Sequence, residues 1–191
     1  EELVRGLRSL LGIEITVSAT PLGAGEVVAR TPASVPAIGR IATLALDLTN
    51  VGAEGFVIRR FLTPSPVPER GNQLGGAGST WYVAANSDVG VLYGVFHLLR
   101  QLENLTRPHQ LPVIEMPRIG LRLLNHWDNL DRSVERGYAG LSLWDWEHLP
   151  DSIPQRYRDY ARANASIGIN GTVLTNVNAN ARILTPDYLA K

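Results

Sequence analysis

Cysteine is absent from the 191 residues, which excludes disulfides, thiolate metal ligands and a cysteine nucleophile. Its absence leaves the compartment open, since cysteine-free chains occur on both sides of a membrane. No apolar run approaches the ~20 residues needed to span a bilayer. A surplus of either charge is also missing: 18 basic side chains balance 18 acidic ones, so the chain lacks the footprint of a nucleic-acid or anionic-membrane binder. The four histidines, His97, His109, His126 and His148, show no i, i+4 pair, and no metal site is expected. No cofactor is expected either. Gly75-Gly76-Ala77-Gly78 precedes a strand instead of opening a helix and lacks a P-loop lysine, so it reads as a turn. No Gly-x-Ser-x-Gly elbow is present for an esterase nucleophile. The chain opens at Glu1-Glu2 without Met, and a native N-terminus or signal segment is expected to have been removed.

What is present is the composition of a globular protein, 45% hydrophobic and 19% charged. Leu3, Leu7, Leu10 and Leu11 recur at helical spacing, with Gly12 as the stop. Ile13, Ile15 and Val17 alternate with polar residues as in a half-buried strand. Glu26 to Thr31, Gly55 to Phe61 and Thr80 to Ala84 are further strands. The Pro- and Ala-rich stretch between the first two of these carries no assignable pattern. Thr63 to Gly78, rich in proline and glycine, reads as a loop. Ser87 to Asn104 is a helix capped by Ser87 or Asp88. Its two apolar stripes, Val89/Leu92/Phe96/Leu99 and Val91/Val95/Leu98/Leu102, require cover on two sides. His97 falls within this pattern and is expected to be packed or hydrogen-bonded. Strands first, with helices collected on one face, predict an α+β sandwich.

The stretch from Arg107 to Pro117, with three prolines, reads as a linker. The expected organisation is a domain over 1–110, a linker over 111–118 and a second domain over 119–191. In the last part, Ile119 to Leu124 reads as a buried parallel strand. Pro154 sits at the first turn of a helix running to about Gly168, Thr172 to Thr175 is a second strand, and Tyr188 starts another helix. This is one right-handed β-α-β unit. Its return connection is only Ile169 to Gly171, whereas the outward one, 126–153, takes about 28 residues. Loops beyond ~12–15 residues are uncommon and usually functional. In (β/α)8 barrels the strand-to-helix loops build the active-site face. The expectation is therefore the opening of a barrel that is incomplete here, its remainder either removed, which is the favoured reading, or carried on another chain, with apolar strand and helix faces left uncovered.

Asn125 to Asn129 (NHWDN) and Trp144-Asp145-Trp146 lie in the long loop, and Asn176 and Asn178 just past the second strand. Indole faces stack on sugar rings while Asn and Asp bond the hydroxyls. The alternative is that the aromatics cap the barrel and the acids satisfy loop N–H groups or pair with Arg132 and Arg136.

The runs LNHWDNLDRSVERGYAG (124–140), SLWDW (142–146) and ARANASIGINGTVLTNVNAN (161–180) resemble the α-glucuronidases of glycoside hydrolase family 67. SDVGVLYGVFHLLRQL (87–102) resembles the last helix of that family's N-terminal domain. Arg132 departs from the pattern, since other members often have a small residue there. The resemblance implies an α/β protein with a hexosaminidase-like N-terminal α+β domain, followed by the start of a (β/α)8 TIM barrel. It implies an inverting hydrolase that removes α-1,2-linked, often 4-O-methylated, glucuronic acid from xylo-oligosaccharides. The catalytic acid and base are then expected beyond residue 191, leaving no catalytic residue in this chain. Within it, Trp144 is expected as an apolar wall for the uronic acid and Asp128, Asn129 and Asn178 as rim residues, while Trp127 suits packing equally well. Partners are glucuronoxylan-derived oligosaccharides and, for the full-length protein, a second copy in a homodimer. A β-N-acetylhexosaminidase-type hydrolase, which would need an adjacent Asp-Glu pair downstream, is the competing enzyme reading. A non-catalytic carbohydrate-binding or docking module over the first ~110 residues is the other.

Overall fold

The computed structural model describes residues 1–19, 25–63, 78–104, 112–135 and 140–191. The chain divides into two units, Glu1–Arg118 and Ile119–Lys191. The first is built on a mixed sheet of β1 (Val27–Arg30), β2 (Phe56–Thr63), β3 (Gly78–Ala85) and β4 (Val113–Glu115), in the order β1-β3-β2-β4. β1 runs parallel to β3, while β2 is antiparallel to both β3 and β4. Thr63 pairs with Gly78, so the two ends of the expected 63–78 loop belong to strands. Residues 64–77, with most of the Gly75 to Gly78 turn, lie outside the described residues. β4 falls in the stretch expected as linker, because its pairing with β2 over Val113 to Glu115 needs only a free edge and no proline within the strand.

Side chains alternate across a strand, and here both faces are covered. Val57 and Ala84 bury against Ile38, Leu44, Leu48 and Val51, with Phe61 and Tyr82 alongside. Ile38 belongs to α2 (Pro36–Arg40); Leu44 and Leu48 belong to α3 (Ala42–Leu48). These helices form from the Pro- and Ala-rich stretch that showed no pattern, since one or two turns are too short to establish a 3.6-residue period. Asp47 on α3 meets Arg59 Nε on β2 at 2.5 Å. The expectation of helices on one face only is thus corrected.

The opposite face carries α4 (Asp88–Glu103), capped by Ser87 Oγ, which accepts from Gly90 N–H at 3.2 Å. Its approach to the sheet depends on glycine. A Cβ at Gly94 would lie 2.6 Å from Val83 Cγ1, and one at Gly90 2.6 Å from the Gly55 carbonyl. The sheet-facing side therefore includes Gly90 and Gly94, which neither expected apolar stripe contained. α1 (Glu2–Leu11) packs on α4, its Gly6 against Leu99, so the wide apolar arc of α4 is covered on two sides. α1 stops at Gly12, whose φ of 66° is the left-handed conformation a C-terminal glycine supplies. Ile13 to Ser18 forms no strand: Ile13 and Val17 are 55% and 69% exposed. Alternation marks which side chains a strand would bury, but the segment has no ladder partner among the described residues.

The second unit is a β-α-β arrangement: β5 (Leu123–Asn125), α5 (Gln155–Ser166) and β6 (Gly171–Val173), with β5 parallel to β6. β5 is shorter than expected, beginning four residues after Ile119, and β6 ends before Leu174. Pro154 is extended and precedes the helix instead of occupying its first turn. A 3-10 turn (Ala181–Leu184) leads to α6 (Pro186–Leu189). The starts of the two strands are stitched by Arg122 and Asn170: the Arg122 N–H donates to Asn170 Oδ1 at 2.8 Å, and the Asn170 N–H to the Arg122 carbonyl at 3.0 Å. The strands themselves leave Leu123, Leu124 and Val173 exposed. Two short strands enclose little, and the core of this unit comes instead from the long loop, where Trp144 and Trp146 bury with Tyr157 of α5.

Candidate functional site

Both parallel strands end on the same side of the second unit, and the segments that follow them meet there. Leaving β6, the Asn176 N–H donates to the Asp128 carbonyl at 3.1 Å, and its Nδ2 donates to Asn129 Oδ1 at 2.6 Å. Asn176 Oδ1 accepts from the Asn178 N–H at 2.6 Å, an Asx turn that aims the next side chain. Asn178 Nδ2 then donates to Glu135 Oε1 at 3.0 Å. Glu135 is held by its own N–H, which donates to the Trp127 carbonyl at 2.7 Å. Between them, Asp128 bridges Val134, and Ser133 bridges Leu141. The result is a rim of Trp127, Asn129, Glu135 and Asn178 at the ends of the strands. Trp127 is 41% exposed and Asn178 is exposed, whereas Asn129 and Glu135 are half-buried.

Of the residues expected at a sugar site, Asn129 and Asn178 stand on this rim. Asp128 does not: it is 5% exposed. Its Oδ2 accepts from Ser142 Oγ at 2.5 Å, and Ser142 Oγ accepts in turn from the Trp144 N–H at 2.9 Å. His126 Nδ1 lies 3.5 Å from the same carboxylate oxygen. Trp144, expected as an apolar wall, is 8% exposed. Tyr157 (ring centroids 5.0 Å apart), Tyr160 (5.4 Å, edge-on) and His126 (5.5 Å, edge-on) surround it. Contacts of this kind are those of a core aromatic, and they leave little ring face for a sugar within this unit. Trp127 is the exposed indole. Composition did not separate the two tryptophans, because burial depends on how the loop folds back over α5.

Glu135 and Ser142 carry no local pattern that distinguishes them, although both lie in the runs that carry the family resemblance. The carboxylate opposite Asn178 becomes visible only when the two loops are brought together. The pairing of loop acids with arginine, the alternative weighed for this segment, does occur: Arg132 Nη1 meets Asp145 Oδ2 at 2.9 Å. The hydrogen bond from His148, followed by the charges of His148 and Arg132, holds the Asp145 carboxyl below its ordinary range. The Ser133 hydroxyl and N–H do the same for Asp131. Arg132 has φ 71°, a left-handed conformation that is costly for a residue with a Cβ. A glycine would suit that turn, and Arg136 lies outside the described residues.

Two family descriptions match the sequence: "Glycosyl hydrolase family 67 N-terminus" over residues 1–98 and "Glycosyl hydrolase family 67 middle domain" over residues 101–191. The two mixed α/β units therefore match domains described for one class of protein, the glycosyl hydrolases. Both descriptions name one family, and the chain belongs to glycosyl hydrolase family 67. Among its curated relatives are "Probable alpha-glucuronidase A" of Aspergillus oryzae, 29% identical over 97% of this chain, and that of Aspergillus terreus, 31% identical over 99%. "Alpha-glucuronidase A" of Aspergillus tubingensis is 38% identical over 61% of the chain. The chain spans 20% of the length of the first two and 14% of the third.

Proposed function

We propose that the chain is the N-terminal part of an inverting α-glucuronidase acting on α-1,2-linked (4-O-methyl)glucuronic acid at the ends of xylo-oligosaccharides. The observation that carries the reading is similarity to proteins named α-glucuronidase along 97–99% of the chain. The first unit corresponds, in this reading, to a hexosaminidase-like N-terminal domain over about 1–110, joined through 111–118. Residues 119–191 then open a (β/α)8 barrel, with the rim of Trp127, Asn129, Glu135 and Asn178 on its active-site face. The arrangement of donors and acceptors suits a sugar: an exposed indole offers an apolar face, and the amides and carboxylate offer both halves of the hydrogen bonds that hydroxyls make. Trp144 serves this site from beneath, through its packing on His126 and Tyr160. The acid and base carboxylates belong to later parts of the protein, and in inverting hydrolases they stand ~6.5–9.5 Å apart. The full-length protein forms a homodimer through its C-terminal region.

The test is release of uronic acid from aldouronic acids by the full-length protein, followed by NMR. Inversion requires the β-anomer of the acid to appear first from the α-linked substrate. Appearance of the α-anomer first, or no release at all, would overturn the reading. Turnover by residues 1–191 alone would contradict the placement of the catalytic carboxylates.

A further inference from the structure

We propose that Asp128 is a positioning residue for the strand-end rim, acting with Ser142 and touching no substrate itself. The inference rests on the glucuronidase reading for its kinetic arm only. Three separate stretches of chain converge on this one buried residue. Its carboxylate accepts from Ser142 Oγ, which accepts from the Trp144 N–H, tying it to the 142–144 segment. Its carbonyl accepts from the Asn176 N–H, tying it to the turn after β6. Its backbone bridges Val134, one residue before Glu135. On its N-terminal side, His126 continues the ladder beyond β5 by donating its N–H to the Val173 carbonyl at 2.9 Å, and His126 Nε2 lies 2.6 Å from the Tyr160 hydroxyl.

Its flanking residues Trp127 and Asn129 are the rim. Glu135 and Asn178, the other two, are each one step removed: Glu135 through the bridge at Val134, Asn178 through Asn176. A carboxylate that is buried and bonded in this way has no free face for a sugar. It does decide where the four rim residues are held. A buried acceptor whose removal would orphan the Ser142 hydroxyl is costly to lose, and groups that position a substrate act through geometry.

The variants Asp128→Ala, Asp128→Asn and Ser142→Ala, made in the full-length protein, test this by steady-state kinetics on an aldouronic acid and by amide hydrogen exchange. For Asp128→Ala the expected result is a KM raised about tenfold or more with kcat within about threefold. Exchange should be faster at residues 127–135 and 176–178 and unchanged in β2 and β3. Asp128→Asn keeps an oxygen that can accept from Ser142 and should restore KM to within about threefold of wild type. Ser142→Ala should shift KM and exchange in the same direction by a smaller factor, and it stands as the test should Asp128→Ala fail to fold. A large fall in kcat at unchanged KM, an Asn variant as impaired as the Ala variant, or unchanged exchange at 127–135 would each overturn the proposal. Absence of uronic acid release by the wild-type protein would sink the glucuronidase reading alone, and the exchange comparison would still decide the role of Asp128.

Discussion

Asn178 Nδ2 donates to Glu135 Oε1 at 3.0 Å although 43 positions separate the two residues. One follows the second strand and the other lies in the loop after the first, so the bond joins the two segments that end on the same side of the β-α-β unit. Exchanging Glu135 for alanine should leave Asn178 unpaired and raise the KM for an aldouronic acid about tenfold, the loss of one hydrogen bond to a charged group. Glu135→Gln should retain much of the affinity, because its oxygen still accepts from Asn178. Equal KM values for the alanine variant and the wild type would remove Glu135 from the rim.

The two tryptophans of the loop should respond oppositely to truncation. Trp144→Ala opens a cavity beneath Tyr157 and Tyr160 and should cost about 3–5 kcal/mol in denaturant unfolding. Trp127→Ala removes a ring that is 41% exposed and should cost less stability than Trp144→Ala, while weakening oligosaccharide affinity in calorimetry. Reversal of these stability effects would make Trp127, and not Trp144, the packing residue of the loop.

Glycine in α4 marks close packing. Gly94→Ala gains about 1 kcal/mol of helix propensity but forces a methyl to 2.6 Å from Val83 Cγ1 and 3.1 Å from Phe56 Cβ, an overpacking cost of about 1–3 kcal/mol. Net destabilisation is expected. Gly6→Ala in α1 has the flexible Leu99 side chain, Cγ included, as its nearest contact, so urea unfolding should show a smaller cost than for Gly94→Ala.

His97 is expected to give the first unit a pH-dependent stability. Its ring packs on Phe56 with centroids 5.3 Å apart, and Gln101 Nε2 lies 2.8 Å from its Nε2. Burial, and secondarily the charge of Arg100, lower its pKa below the ordinary 6.5, with Glu115 opposing. The unfolded chain therefore binds the proton more readily than the folded one. The stability from the neutral ring is complete above about pH 6.5 and falls as pH drops towards the lowered folded value. His97→Gln should abolish that part of the slope in thermal unfolding between pH 7 and 5; an unchanged slope would exclude His97 as its source.

Asp145 behaves in the opposite sense. Its depressed pKa, due first to His148 and then to Arg132, means that the folded state holds the carboxylate more firmly than the unfolded chain. This contribution is complete above the ordinary value of 3.8 and is lost as pH falls through the folded value. Asp145→Asn should flatten the acid limb of the stability curve below pH 4, and the same steepness in both proteins would count against it.

Much of this organisation was legible before folding. The helix Asp88–Glu103, its Ser87 cap, the Gly12 stop and the strands β1 to β3 follow from patterns within a few residues of one another, where periodicity and capping chemistry act directly. So does the long outward loop of the β-α-β unit, with its polar and aromatic content. The short helices α2 and α3 and the strand β4 were not legible. α2 and α3 are stabilised by burial against β2 and β3, and β4 by its pairing with β2, instead of by local preference. Ile13 to Ser18 shows the converse, since its alternation is correct for a strand but no edge among the described residues pairs with it.

At the rim, local pattern decided which chemistry was available: indoles, amides and carboxylates gathered in two segments that follow parallel strands. Only the folded chain decided their roles. Trp127 and Trp144 are the same residue type in the same loop, and so are the acids Asp128 and Asp145. One tryptophan faces solvent and the other fills the core of the unit. One acid is buried on Ser142 and the other is paired with Arg132 and His148. The distinction arises because a side chain's exposure and partners are set by contacts distant in sequence, such as Asp128 with Asn176 and Glu135 with Asn178. No pattern confined to neighbouring residues can carry that information.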